Sequence, residues 1–149
     1  MKSAAHTLLA FAFYAFAAAA VLYASDKPDP ETFSTDSKRL DALMQVFSET
    51  QARGDQFGNA FWRASKRLAE ERGTDIIHAV MERSQKWQGE EGLIFVPLVA
   101  LLPREAALKI LHQYQRSKRE SESVWAEEFI TELDMSDTKE AVRKYSMEK

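Results

Sequence analysis

The sequence predicts an all-α protein, an irregular bundle of six or seven short helices behind an N-terminal apolar signal or anchor helix. Three observations lead there. From Thr35 onward, apolar residues recur at i, i+3, i+4 and i+7, and no run alternates apolar with polar. Gly54, Gly73 and Gly89 fall where these periodic runs stop. Beyond Pro30 only Pro97 and Pro103 interrupt the chain, which leaves long stretches free to be helical.

Leu8 to Ala24 reads LLAFAFYAFAAAAVLYA, without a charge or a strongly polar group. As a helix it would span ~26 Å, on the border between a signal peptide and a membrane span. Lys2 at the start and the alanines near the end, with Ala18 and Ala20 as an Ala-x-Ala site, have the layout of a cleaved signal. Residues 1–24 are therefore expected to be a signal peptide or a single membrane anchor. Either route carries the domain outward, to a periplasmic or otherwise extracytoplasmic location. Residues 25–34, with Pro28 and Pro30, read as an extended linker, and residues 35–149 as the helical domain.

Within the domain, the first helix is expected over Thr35–Arg53, with Leu40, Leu43, Met44 and Phe47 on one face and Gly54 as its stop. Asp55 is a plausible cap for the second, whose stripe is Phe57, Phe61, Ala64 and Leu68. Gly73 ends that helix in a left-handed C-cap and Thr74 caps the third. The third turns Ile76, Ile77, Val80, Met81, Ser84 and Trp87 inward, and Gly89 closes it. Leu93 to Leu102 (LIFVPLVALL) is apolar on every side but too short to cross a bilayer, so it should be a buried central helix with Pro97 in its first turn. A short strand over Leu93–Val96 is the alternative, with no second strand to pair with it. Pro103 opens the next helix, with Ala107, Leu108, Leu111 and Tyr114 inward. Ser117-Lys118-Arg119-Glu120 matches a capping box before a helix bearing Val124, Trp125, Phe129 and Leu133. Asp137-Thr138-Lys139-Glu140 precedes a last helix carrying Ala141, Val142 and Tyr145.

The 149 residues leave room for one domain, and about 115 after the linker suffice for a core of their own. The absence of cysteine excludes disulfide scaffolds, thiol catalysis and Cys-based zinc sites. With 20 Lys and Arg against 23 Asp and Glu, interspersed rather than blocked, there is no electrostatic reason to expect nucleic acid. Nucleophile elbows, phosphate-binding loops, dinucleotide fingerprints and EF-hand loops are all missing, and no cofactor is implied.

The candidate site residues are few. His78 and Glu82 stand four apart on one helix face and are the weak candidates for a metal, with His112 as a possible third ligand. Two ligands do not make a site, so no metal is assigned. Arg116, Lys118 and Arg119 form the one local basic cluster, a candidate for partner or anionic membrane contact. Adjacent glutamates such as Glu127-Glu128 point about 100° apart on a helix and do not build an acid–base pair. The tryptophans Trp62, Trp87 and Trp125 fit a core at helical spacing better than a binding surface.

The resulting expectation is a non-enzymatic, exported or membrane-tethered helical protein that binds another protein, adaptor-like or immunity-like. Its membrane contact is through residues 1–24 if they are retained. A single-pass accessory subunit of a membrane complex is one alternative. An envelope-acting hydrolase using an unidentified Glu is the other.

Overall fold

A computed structural model describes residues 30–54 and 58–149, with side chains from Ser34 onward. The expected segment 1–24, residues 25–29 of the linker, and the Asp55 and Phe57 positions lie outside the described residues. Helix α1 runs Pro30–Ala52, five residues earlier than its expected start at Thr35. Pro30 suits a first helical position, because its fixed φ is helical and its missing N–H has no partner to lose there. Residues 30–34 are thus helical rather than extended. The buried face of α1 is Asp36, Leu40, Leu43, Phe47 and Thr50, while Met44 sits at its margin, 36% exposed. Thr50 satisfies its buried hydroxyl by donating to the Phe47 carbonyl at 2.7 Å.

Helix α2 (Asn59–Arg72) buries Phe61, Trp62, Ser65, Leu68, Ala69 and Arg72. Gly73 ends it at φ 59°, ψ −157°, with its N–H on the Ala69 carbonyl. That is not the left-handed cap expected, but positive φ with extended ψ is still a region that only glycine reaches without strain. The chain passes through a 3-10 turn, Gly73–Asp75, directly into α3 (Ile76–Arg83), so Thr74 makes no side-chain cap. Of the expected inward residues, Ile76, Ile77, Val80 and Met81 are buried in α3, and Ala79 joins them; the helix ends at Arg83 rather than near Gly89, and Trp87, beyond it, is only half-buried. Ser84 follows in the next 3-10 turn, its hydroxyl donating to Met81 O at 2.6 Å.

The apolar segment is central, but it is not one helix. A 3-10 turn over Glu91–Phe95 leads into the five-residue α4, Val96–Ala100. Pro97 lies in the first turn, the place where a ring without an N–H costs nothing. Phe95, Val96, Pro97, Leu98, Val99 and Leu102 are buried, and no strand occurs among the described residues. Gly92 permits the turn for a different reason from Gly73. A Cβ there would stand 2.5 Å from Trp125 Cζ3 and 2.6 Å from Trp87 Cε3, so the backbone passes between two indoles.

Helix α5 (Arg104–Gln115) follows Pro103, which stands just before the helix rather than in it, and turns Ala107 and Leu111 into the core. Helix α6 (Glu120–Asp134) buries Glu122, Ala126, Phe129 and Leu133. This phase leaves Val124 outside, 55% exposed, against expectation. Ser117 forms no capping box: its hydroxyl accepts the Arg119 N–H at 3.1 Å and donates to Glu122 Oε2 at 2.5 Å. Helix α7 (Ser136–Ser146) buries only Tyr145, which stacks on Trp62 with centroids 5.1 Å apart.

These elements close around α4. Helices α5 and α6 form the most extensive pair, α1 packs on α2 and α3, and α7 lies against α2, α4 and α6. Phe61, Phe95, Phe129, Leu40, Ile76 and Leu98 are among the largest side chains fully shut off from water. The expected all-α architecture holds among the described residues, as six substantial helices and the short α4. No helix among the described residues is long and apolar enough to cross a membrane.

Candidate functional site

Of the residues singled out in the sequence, His78, Glu82 and Arg119 lie at the junction of α3, α5 and the start of α6. His78 Nδ1 lies 2.7 Å from Tyr114 Oη, and their rings are 5.6 Å apart. Burial lowers the pKa of His78, opposed by the charge of Asp75. Burial, reinforced by Glu122 and Glu82, pushes the Tyr114 phenol up to about 12. A neutral imidazole thus meets a protonated phenol. Glu82 faces Arg119 at 3.6 Å instead of sharing a ligand with His78, and exposed His112 bonds Gln115 at 3.1 Å. Among the described residues no three His, Cys, Asp or Glu side chains could hold a metal. Arg119 pairs with Glu122 at 3.2 Å, and Arg116, Lys118 and Arg119 are all exposed.

A second polar cluster is absent from the sequence-based candidates. Asp36 is wholly buried between α1 and α2, and Arg72 grips it at both oxygens, Nε to Oδ1 at 2.6 Å and a terminal nitrogen to Oδ2 at 2.9 Å. Arg39 adds a third bond to Oδ1 at 2.9 Å and reaches Glu71 at 3.7 Å. The hydrogen bond to Asp36 raises the pKa of Arg72 despite the opposing effect of burial. Every oxygen of Asp36 is engaged by a fixed cation, so the cluster is a clasp between helices with no free acid or base. A signal for it exists: Asp36 is in phase with Leu40, Leu43 and Phe47, and Arg72 with Leu68.

One surface feature with room for a ligand lies along α6. Its first part, about 280 Å³, lies between Val124, Trp125 and Glu128 of α6 and the facing Gly89, Glu90 and Leu93. Its second part, about 420 Å³, has Leu93 at one end and a floor of Trp62, Val96, Pro97 and Ala141. Glu132, Asp137 and Thr138 edge that second part. Leu93 lines both. Local sequence explains the shape. Gly92 lets the 3-10 turn press against Trp125, which sets Leu93 beside α6. Trp87 and Phe129 back Trp125 from within, their centroids 4.9 and 6.0 Å from it.

A separate depression of about 390 Å³ lies beyond α7. Apolar residues such as Val99, Leu133 and Val142 line it, together with Arg104, Lys139 and Arg143. Asp134 supplies its counter-charge, 2.5 Å from Arg104 and 3.7 Å from Lys139.

No known protein family, curated protein or solved structure matches this chain.

Proposed function

We propose that this protein is a non-enzymatic helical domain, exported or tethered to a membrane by residues 1–24, that binds another protein through the α6 groove. The observation that carries this reading is a pair of neighbouring, largely apolar depressions that share Leu93, with Val124 left 55% exposed in the lining of the first. Aromatic side chains such as Trp125 are enriched in the contact surfaces of protein complexes. The buried carboxylates support the non-enzymatic side of the proposal. Asp36 is saturated by Arg72 and Arg39, and Glu122 by Ser117 and Arg119. Neither of these two buried carboxylates is left free to act as an acid or base. The basic cluster at 116–119 contributes less, because Arg119 is already occupied.

The test is a photo-crosslinking amino acid placed at Val124 of the full chain in its native cell, with Glu105, outside the groove, as control. Discrete adducts with a defined protein from Val124 and none from Glu105 are expected. The same pattern from both positions, or none from either, would refute the reading. If the adduct is a multi-pass membrane protein and residues 1–24 are still present, the accessory-subunit alternative takes over.

A further inference from the structure

We infer that the occupant of the α6 groove is an amphipathic helix of the partner protein that carries Lys or Arg on both flanks of its apolar face. This rests on the protein-binding reading above and adds the chemistry of the partner. The argument is charge complementarity. Each part of the groove is lined by two carboxylates from different elements: Glu90 and Glu128 of α6 in the first, Glu132 of α6 and Asp137 of α7 in the second. No Lys or Arg lines either part. Among the described residues none of these four carboxylates forms an ion pair, although Asp134, on the same helix as two of them, holds both Arg104 and Lys139. Four acids left without counter-ions around an apolar floor favour a cation from outside and repel an acidic segment.

The direction of the groove selects a helix. Val124, Glu128 and Glu132 follow one another at four-residue spacing, so the α6 edge runs ~12 Å, parallel to that helix. A partner helix laid alongside would place apolar residues at i, i+4 and i+7 over Trp125, Leu93 and Pro97. Its flanking residues would then fall to the acidic walls, the helix-in-groove mode of recognition. Strand addition has no edge to use, since no strand occurs among the described residues.

Two synthetic 14-residue peptides of identical leucine pattern, one with Lys and one with Glu at the flanking positions, decide the matter. The full chain, labelled with 5-fluorotryptophan and held in a non-ionic detergent, is titrated with each. The fluorine signals of Trp62 and Trp125 report from inside the groove, so peptide entering the micelle does not mimic binding. The Lys peptide is expected to move both signals with at least tenfold higher affinity than the Glu peptide. The double substitution Glu128→Lys/Glu132→Lys should reverse that preference, while Glu105→Lys/Glu140→Lys, which changes net charge equally, should keep it. Equal affinities for the two peptides would overturn the charge rule and leave the groove standing as a docking surface. A preference abolished equally by both double variants would reduce it to net charge and overturn it as well. If neither peptide moved Trp62 or Trp125, the inference would fall together with the groove reading beneath it.

Discussion

Removing the carboxylate of Asp36 tests the account of the α1–α2 clasp most directly. The side chain is 1% exposed, with Arg72 at 6% and Arg39 at 13%, so solvent screens little of the interaction. Asp36→Ala breaks three charge-assisted hydrogen bonds of 2.6, 2.9 and 2.9 Å and leaves the Arg72 guanidinium buried without its acid. Breaking a buried pair from one side costs about 3–5 kcal/mol, chiefly because the remaining charge has lost its compensation. For a domain of this size, stable by about 5–15 kcal/mol, that is about a fifth of the whole or more. Arg72→Ala should cost somewhat less, because Arg39 still holds Asp36. Arg39→Ala should cost about 1–2 kcal/mol, since it removes a single bond from a side chain with a route to water.

Urea unfolding followed by far-ultraviolet circular dichroism gives the numbers. With a slope of about 1–3 kcal/mol per molar for small domains, Asp36→Ala should lower the midpoint by roughly 2 M. The double variant Asp36→Leu/Arg72→Met removes both charges at once and should recover most of the loss, as apolar replacements of buried pairs often do. A loss below about 1 kcal/mol for Asp36→Ala would refute the reasoning. So would a double variant as unstable as the two single losses combined, for the cost would then lie in packing and not in an uncompensated charge.

Gly92→Ala forces a methyl group into two indoles at 2.5 and 2.6 Å, which should cost about 1–3 kcal/mol and alter the near-ultraviolet dichroism of Trp87 and Trp125. An unchanged spectrum with a loss under 0.5 kcal/mol would contradict that close approach. Leu98→Ala, at a fully buried position, should cost about 2–5 kcal/mol, and Leu101→Ala, half-buried, clearly less; the reverse order would misplace α4. His78 has a folded pKa below its ordinary 6.5, so the unfolded chain binds more protons between those values. Its contribution is complete above about pH 6.5 and lost as pH falls below it. The urea midpoint should therefore drop between pH 7.5 and 5.5, and an equal drop in His78→Gln would remove His78 as the cause. Finally, an alkaline phosphatase fusion after Lys149 should be active in a bacterial host if the domain is exported, and an inactive phosphatase beside a fluorescent cytoplasmic fusion would reverse the proposed orientation.

Where apolar periodicity is the dominant signal, the fold was legible in advance. Helix α3 buries Ile76, Ile77, Val80 and Met81 as expected, and the all-apolar stretch from Leu93 to Leu102 does lie at the centre. Errors arose where a polar residue takes a core position. The α6 stripe anticipated from Val124, Trp125, Phe129 and Leu133 treats Glu122 as solvent-facing. In the fold Ser117 and Arg119 satisfy that carboxylate, so Glu122, Ala126, Phe129 and Leu133 turn inward and Val124 turns out. Asp36 was passed over for the same reason. Its phase was visible, but Arg72 stands 36 residues away, and only the packing of α2 on α1 brings the two together. The anticipated caps at Thr74 and Ser117 failed because short 3-10 and hydroxyl-bonded turns supply partners that a local motif does not reveal.

The groove was hidden by a different cause. In linear order the charges alternate, and a net charge of −3 reads as an ordinary solvated surface. Helical geometry sorts them. Asp137 and Lys139 are two residues apart in α7, so their side chains leave the helix about 200° apart. Asp137 and Ala141 join the acidic groove, while Lys139, Val142 and Arg143 line the basic depression on the other side. Thr138 borders both. Helix α6 does the same at its C-terminal end, giving Glu128 and Glu132 to the groove and Asp134 to the basic side. A mixed sequence thus becomes two surfaces of opposite sign separated by one helix. Only the basic one carries its own counter-ion, which leaves the acidic apolar groove as the face with a partner still to find.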